Sequence, residues 1–298
     1  MLIPITGNPM LFFTHSPTHP LTRTPNLQST NQLINPPMPI LHLETLAANA
    51  WPAAETAECH GWRLRATGGV TGRANSVWPN RRSATAPPLD AHLELVETWY
   101  RRRGLPAVFQ VTPVSQPVNL AAALEARGYR TRPGALVQRA PLSLVHRRTT
   151  GAGDRASEQV QAESPLVTVE SSVTQRWLDL YCTLEGYTGH DAATRGAIIR
   201  RIRQPLGLAT ATVGGEPAGV VMGVVEGEWL GIFGMITSAA HRRQGVARAL
   251  LNHLARWALA AGATHSYLQV MTANQAARAL YAGAGFAEVY GYEYWVSG

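Results

Sequence analysis

The stretch HRRQGVARALL, residues 241–251, sets a run of cations before a glycine and an alanine two positions apart, then opens an apolar pattern of helical period. FGMIT (233–237), shortly before it, reads as the end of a strand. A strand, a turn poor in side chains and a helix start, in that order, suit an anion seated on the helix N-terminus. The first N–H groups of a helix have no internal acceptor and stand at the positive end of its dipole. Gly245 and Ala247 keep side chains away, so phosphate oxygens can reach the N–H groups of Gln244, Gly245, Val246, Ala247 and Arg248. Arg242 and Arg243 add charge. The spacing is neither G-x-x-x-x-G-K-[ST] nor G-x-G-x-x-G. The plain alternative is a polar loop before an amphipathic helix, with its arginines in solvent.

Around this stretch the pattern is that of alternating strands and helices. Leu166–Glu170 reads as a strand, Thr174–Leu184 and Asp191–Arg203 as helices. Ala209–Val213, Ala218–Glu226 and Trp229–Thr237 read as an antiparallel meander turning at Gly214-Gly215 and at Gly227. The helix that opens at Gly245 runs to about Ala261. SYLQVM (266–271), a helix from Asn274 and a last pair of strands through Ala287–Val296 follow.

Upstream, a helix is expected from Ile40 to Ala54, and GWRLRATGGVTGRANSVWP (61–79) as two strands about Gly68-Gly69. Asp90 is placed to cap a helix that Gly104 ends, and AVFQVT (107–112) is a buried strand. NLAAALEARGY (119–129) is a short helix and GALVQRA (134–140) a strand. Residues 143–165, polar and small, read as an exposed linker. Phe109–Val111 before an Ala-rich helix ending in Gly128-Tyr129 echoes Leu268–Val270 before one ending in Gly285-Phe286. The echo suggests a duplicated unit. Residues 1–37, rich in Pro, Thr and Asn, carry no lasting period, so either they are a disordered tail or Met38 is the start.

The strand, R-x-x-G-x-A, helix, strand, N-x-x-A-x-x-x-Y, G-F order resembles the GCN5-related N-acetyltransferase family. It is carried by Arg242–Ala247, Asn274–Tyr281 and Gly285-Phe286, over residues 166–295. The resemblance implies an α/β (α+β) fold, a mixed sheet flanked by helices, with residues 166–298 as the working domain and 38–142 as a degenerate copy in tandem. It implies that the loop holds the pyrophosphate of acetyl-CoA, that Met235, Ile236 and Thr237 pair with the pantetheine arm, that Asn274 binds that arm and that Tyr281 stands by the thioester sulfur as acid. A Tyr packed in the core is the alternative. The general base is left open: Gln269 cannot accept a proton, and Glu226 and Glu228 are candidates that also suit a solvated turn. GRANSV (72–77) resembles uncharacterised two-domain bacterial members of the same family. The N-terminal half has Leu124 where the other has Tyr281, and offers no bare helix start. Trp62, Arg73, Asn75, Trp78, Trp99 and Tyr100 are candidates to line an acceptor cleft or to pack.

With 45% hydrophobic residues the chain can bury a core, and no apolar run reaches the ~20 residues of a membrane helix. The net charge of +7 favours an anionic partner or reflects an arginine-rich surface, and no basic run interleaved with aromatics marks a nucleic-acid module. Cys59 and Cys182 match no disulfide or metal spacing, which fits a reducing cytoplasm. The expectation is an acetyl-CoA-dependent N-acetyltransferase, metal-free, acting on a small-molecule or peptide amine as a monomer or homodimer. A mycothiol-synthase-like tandem enzyme and a non-catalytic acyl-CoA-binding regulator are the rivals.

Overall fold

A computed structural model describes residues 37–150 and 164–297. The expected tail, except Pro37, and most of the expected linker lie outside them. The N-terminal half runs α1 (Pro37–Ala50), a hairpin of β1 (Glu55–Cys59) and β2 (Trp62–Ala66), α2 (Leu89–Arg101), β3 (Val108–Val111), α3 (Leu120–Ala126), β4 (Arg130–Pro141) and α4 (Leu142–Thr149). The C-terminal half runs β5 (Leu166–Glu170), α5 (Gln175–Glu185), α6 (Gly189–Arg201), β6 (Leu206–Val213), β7 (Glu216–Glu226), β8 (Trp229–Thr237), α7 (Val246–Ala260), β9 (His265–Val270), α8 (Gln275–Ala284) and β10 (Ala287–Val296). This is the mixed α/β architecture expected.

Both halves build one eight-stranded sheet, in the order β3-β10-β4-β9-β8-β7-β6-β5. The expected final pair of strands is a single strand, β10, and it pairs antiparallel with β3 on one side and β4 on the other. β4 in turn fills the place between β9 and β10. Each half thus has a β-α-β unit, β3-α3-β4 or β9-α8-β10, whose gap is filled by the last strand of the other. Mutual exchange of equivalent strands is what a duplicated unit would produce, and it makes the two halves one hydrogen-bonded body. The close approach needs Gly134, because a Cβ there would run into the Tyr292 carbonyl oxygen.

Two apolar layers cover this sheet. On one face α7 places Val246, Leu250, Leu251 and Leu254, at helical spacing, against Ala209, Val221 and Ile232, joined by Leu142 and Val145 of α4. On the other, α1, α5 and α6 place Leu43, Trp177, Tyr181 and Ile199 against Leu208, Met222 and Phe233. A third cluster, Trp62, Leu93, Tyr100, Phe109 and Leu124, fills the N-terminal half. Helix α5 has clear stops: the Thr174 side chain accepts from Trp177 N–H at one end, and Gly186 takes a left-handed turn at φ 75° at the other.

Four local expectations are corrected. The hairpin turns at His60-Gly61 rather than Gly68-Gly69, since WRLRA pairs backwards with ETAEC. The GRANSV segment forms no named strand: Val77 makes one isolated parallel bridge with Phe109, and Asn75 staples the turn, accepting from the N–H groups of Thr67 and Gly69 and donating to the carbonyls of Val70 and Thr71. Pro88 occupies the cap of α2, and Asp90 lies inside its first turn. Residues 142–149, expected to be mostly linker, are helix, because Leu142, Val145 and Thr149 bury one side of it.

Glu44 and Arg65, both buried, anchor a polar network under the N-terminal half. Glu44 accepts from Trp78 Nε1 (2.9 Å), Gln110 Nε2 (2.9 Å) and Tyr290 Oη (2.6 Å), and Arg65 donates to Gln110 Oε1 (2.7 Å). Burial raises the Glu44 carboxyl above its ordinary range despite these donors. The network joins α1, β2, β3 and β10, so it too spans both halves.

Candidate active site

Strands β8 and β9 run parallel and pair from Trp229–His265 to Ile232–Leu268, and there the pairing stops. The cause is a bulge in β8. Phe233 stands opposite Met222 and Ile236 opposite Val220, so two residues of β8 face one of β7. Gly234, at φ 56°, takes up the extra residue. Past this point β8 follows β7 alone to Thr237. Among the described residues the side of Phe233–Thr237 that would have faced β9 has no partner strand, and Met235, Ile236 and Thr237 are half-buried. An open strip of backbone donors and acceptors in the middle of a sheet is a seat for an extended ligand. It lies toward the C-terminal ends of two parallel strands, where α/β folds place their ligands.

Beyond Thr237 a short turn, Ala239–His241, is closed by a 2.7 Å contact between Ser238 Oγ and His241 Nδ1. Arg242, Arg243, Gln244 and Gly245 follow, all exposed, and Val246 begins α7 as the buried anchor of its first turn. Arg243 (φ 64°) and Gly245 (φ 80°) are left-handed, which coils the loop over the helix start. No side chain caps the helix, and a Cβ on Gly245 would meet open space. The N–H groups of Val246, Ala247 and Arg248 therefore open outward. The Arg248 side chain turns away to donate to the Arg148 carbonyl at the end of α4. The loop thus offers an anion two exposed arginines, outward N–H donors and open space at Gly245.

Tyr281 of α8 lies in the apolar layer on the α7 face, in the same packed group as Met235 of β8 and Val270 of β9. Its ring meets Phe286 edge-on at 5.8 Å. It is 7% exposed, and burial pushes the phenol up to about 12. No described residue hydrogen-bonds its hydroxyl. Asn274 caps α8 just after β9, its Oδ1 accepting from Ala277 N–H at 3.1 Å. That use leaves its amide N–H₂ without a hydrogen bond among the described residues.

Across the sheet, on the α5 face, a polar cluster that the sequence named only in part stands at the same opening. Gln269 of β9, the first residue past the last β8–β9 pair, accepts from Tyr292 Oη (3.0 Å) and from Arg73 Nη1 (3.4 Å). The Arg73 guanidinium lies over the rings of Trp51 (5.2 Å) and Phe233 (5.5 Å). Tyr181 abuts Gly234. Trp51, Tyr181 and Tyr292 were missed; the alternation Tyr290, Tyr292, Tyr294 on β10 was the signal that one strand face was aromatic and polar. Of the proposed cleft residues, Trp62, Asn75, Trp78 and Tyr100 are buried as packing or loop staples, and Trp99 lies under Arg103. Only Arg73 reaches the opening. Glu226 and Glu228 lie at the β7–β8 hairpin, away from the opening. Glu226 pairs with Trp229, roughly 10 Å below where the strands part, and is held by Asn49 (2.8 Å).

Comparisons with known proteins bear on the family and the fold. The profile of the family described as "Probable histone acetyltransferase Rv0428c C-terminal" matches residues 38–295. The chain is 31% identical over 257 residues to the "Uncharacterized N-acetyltransferase YobR" of Bacillus subtilis (strain 168), covering 86% of this chain and 97% of that protein. A GCN5-related N-acetyltransferase from Kribbella flavida shares the fold with a TM-score of 0.59 at 14% identity, over 89% of this chain and 96% of the other. A tandem GNAT protein from the clavulanic acid biosynthesis pathway does so with a TM-score of 0.57 at 15% identity, over 86% and 87%. The chain belongs to this acetyltransferase family of the GCN5-related fold, and is an acyltransferase.

Proposed function

We propose that the protein moves an acetyl group from acetyl-CoA to the amine of a small molecule or peptide by direct attack. The observation that carries this reading is the opening between β8 and β9, which has the bare start of α7 at its mouth and Tyr281 on its α7 side. The N–H groups of Gln244–Arg248, with Arg242 and Arg243, hold the pyrophosphate. Met235, Ile236 and Thr237 pair with the pantetheine arm as an added strand would, and Asn274 donates to it. N–H groups of β8 at the bulge polarise the thioester carbonyl. The bound thioester supplies an activated acetyl group. The amine nitrogen forms a bond to the acetyl carbon, the carbon–sulfur bond breaks, one proton leaves the nitrogen and one comes to the sulfur.

Tyr281 is the group that meets the sulfur. At about 12 its phenol keeps its proton throughout the neutral range, so the donor is always loaded. Among the described residues no carboxylate stands at the opening as base, and the amine arrives neutral or loses its proton to water. The test is release of free thiol from acetyl-CoA in the presence of a panel of amines. Amine-dependent release supports the reading. Acetyl-CoA binding without release for any amine favours an acyl-CoA-binding regulator instead.

A further inference from the structure

Arg73 is a half-buried cation without a carboxylate. It makes no ion pair among the described residues, and its one described hydrogen bond is the long contact to Gln269. A guanidinium carries five N–H donors in a planar fork that matches a carboxylate in two parallel bonds. Here most of that fork is unspent. Its position is fixed on several sides. The Trp51 and Phe233 rings lie under the guanidinium, Gln269 holds one nitrogen, and Gly72 beside it packs against Tyr294, whose ring a Cβ would overlap at 2.7 Å. The hydroxyl of Tyr292 shares the same Gln269 oxygen.

The place of this cation is informative. Phe233 and Gln269 are the residues at which β8 and β9 part, so Arg73 stands at the opening on the face opposite Tyr281. If the thioester lies in the opening as proposed above, the acceptor reaches it past Arg73. A simple alkylamine, an ammonium ion before it loses its proton, would be repelled there. An acceptor that brings its own negative charge would be drawn in.

Resting on the proposed function, we propose that the acceptor is an amino-acid-like amine, with its carboxylate seated on the Arg73 fork and its amino group directed into the β8–β9 opening. Arg73 is then a specificity residue supplied by the N-terminal half to a reaction centred in the other. The half that lacks the pyrophosphate loop is not only a support: it chooses the substrate. The reaction is the one written above, with the carboxylate unchanged.

The experiment uses the full chain with acetyl-CoA, free amino acids and their carboxamides, reading thiol release. Wild type should prefer at least one amino acid to its carboxamide by tenfold or more in kcat/KM. In Arg73→Gln that preference should collapse to within about threefold, through KM for the amine, with KM for acetyl-CoA unchanged. Arg73→Lys, which keeps charge but not the fork, should recover part of it. Melting temperatures of the variants establish that they fold. Equal use of acids and carboxamides by wild type overturns the inference, as does a preference that survives in folded Arg73→Gln, or turnover confined to amines without a carboxylate. Acetyl-CoA bound but transferred to no member of the panel also overturns it. Failure to bind acetyl-CoA at all is a different result and defeats the functional reading itself.

Discussion

Arg73 Nη1 lies 3.4 Å from Gln269 Oε1, across 196 positions of chain. The contact brings the loop after the N-terminal hairpin to the strand where the C-terminal half opens. Together with the exchanged strands β4 and β10 it makes the site a product of both halves, so damage to the seam between them should be felt as loss of the whole fold.

Gly134 tests that seam. Gly134→Ala would push a methyl group into the Tyr292 carbonyl in the centre of the shared sheet. Overpacking against backbone cannot be relieved by a rotamer change, and about 3 kcal/mol of destabilisation is expected. Denaturant titration should show a single transition moved to lower concentration. Two separate transitions in wild type would show that the halves fold independently.

Ala247→Glu tests the pyrophosphate cradle without disturbing the backbone. Ala247 lies in the first turn of α7, where any residue adopts the dihedral angles, whereas a change at Gly245 would add strain at φ 80°. A carboxylate there would occupy the anion's place. Acetyl-CoA affinity should drop at least tenfold while the melting temperature stays within a few degrees.

Tyr281→Phe removes one hydroxyl and keeps the ring against Phe286. As proton donor to the sulfur, its loss should lower kcat by roughly 10²–10⁴-fold with little change in acetyl-CoA affinity. Stability should hardly move, since no described residue bonds the hydroxyl. Full activity in the variant would remove Tyr281 from the chemistry.

Alkaline stability follows from buried phenols. Burial pushes Tyr100 and Tyr281 up to about 12, while an unfolded phenol ionises near its ordinary value of 10. Below pH 10 both states keep the proton. From pH 10 to 12 the unfolded chain loses protons that the folded one retains, so stability falls with rising pH, on the order of 2–3 kcal/mol for each of these tyrosines. Thermal melts from pH 9 to 11.5 should show the decline beginning near 10, and Tyr100→Phe should soften it.

The reach of the sequence was set by locality. The strand, loop, helix and Asn–Tyr pattern from Phe233 to Tyr281 lies in adjacent elements, and residue spacing alone carries it. The strand exchange was not readable. It depends on pairings between residues such as Tyr292 and Ala135, which no local period encodes. The echo of Phe109–Val111 in Leu268–Val270 hinted at duplication but not at which strand fills which gap. The hairpin was misplaced because its first strand, ETAEC, is mostly exposed and shows little hydrophobic pattern. The acceptor side stayed hidden because Arg73, Gln269 and Tyr292 come from three distant segments.

Titration calorimetry of acetyl-CoA into the wild-type protein is the most direct measurement of the central claim. In the N-terminal half Leu124, fully buried, stands in the place of Tyr281, and among the described residues no helix there starts from a left-handed glycine as α7 does. The account predicts saturable binding of one acetyl-CoA per chain, lost in Ala247→Glu. Two equivalents at saturation, or one equivalent that survives Ala247→Glu undiminished, would contradict it.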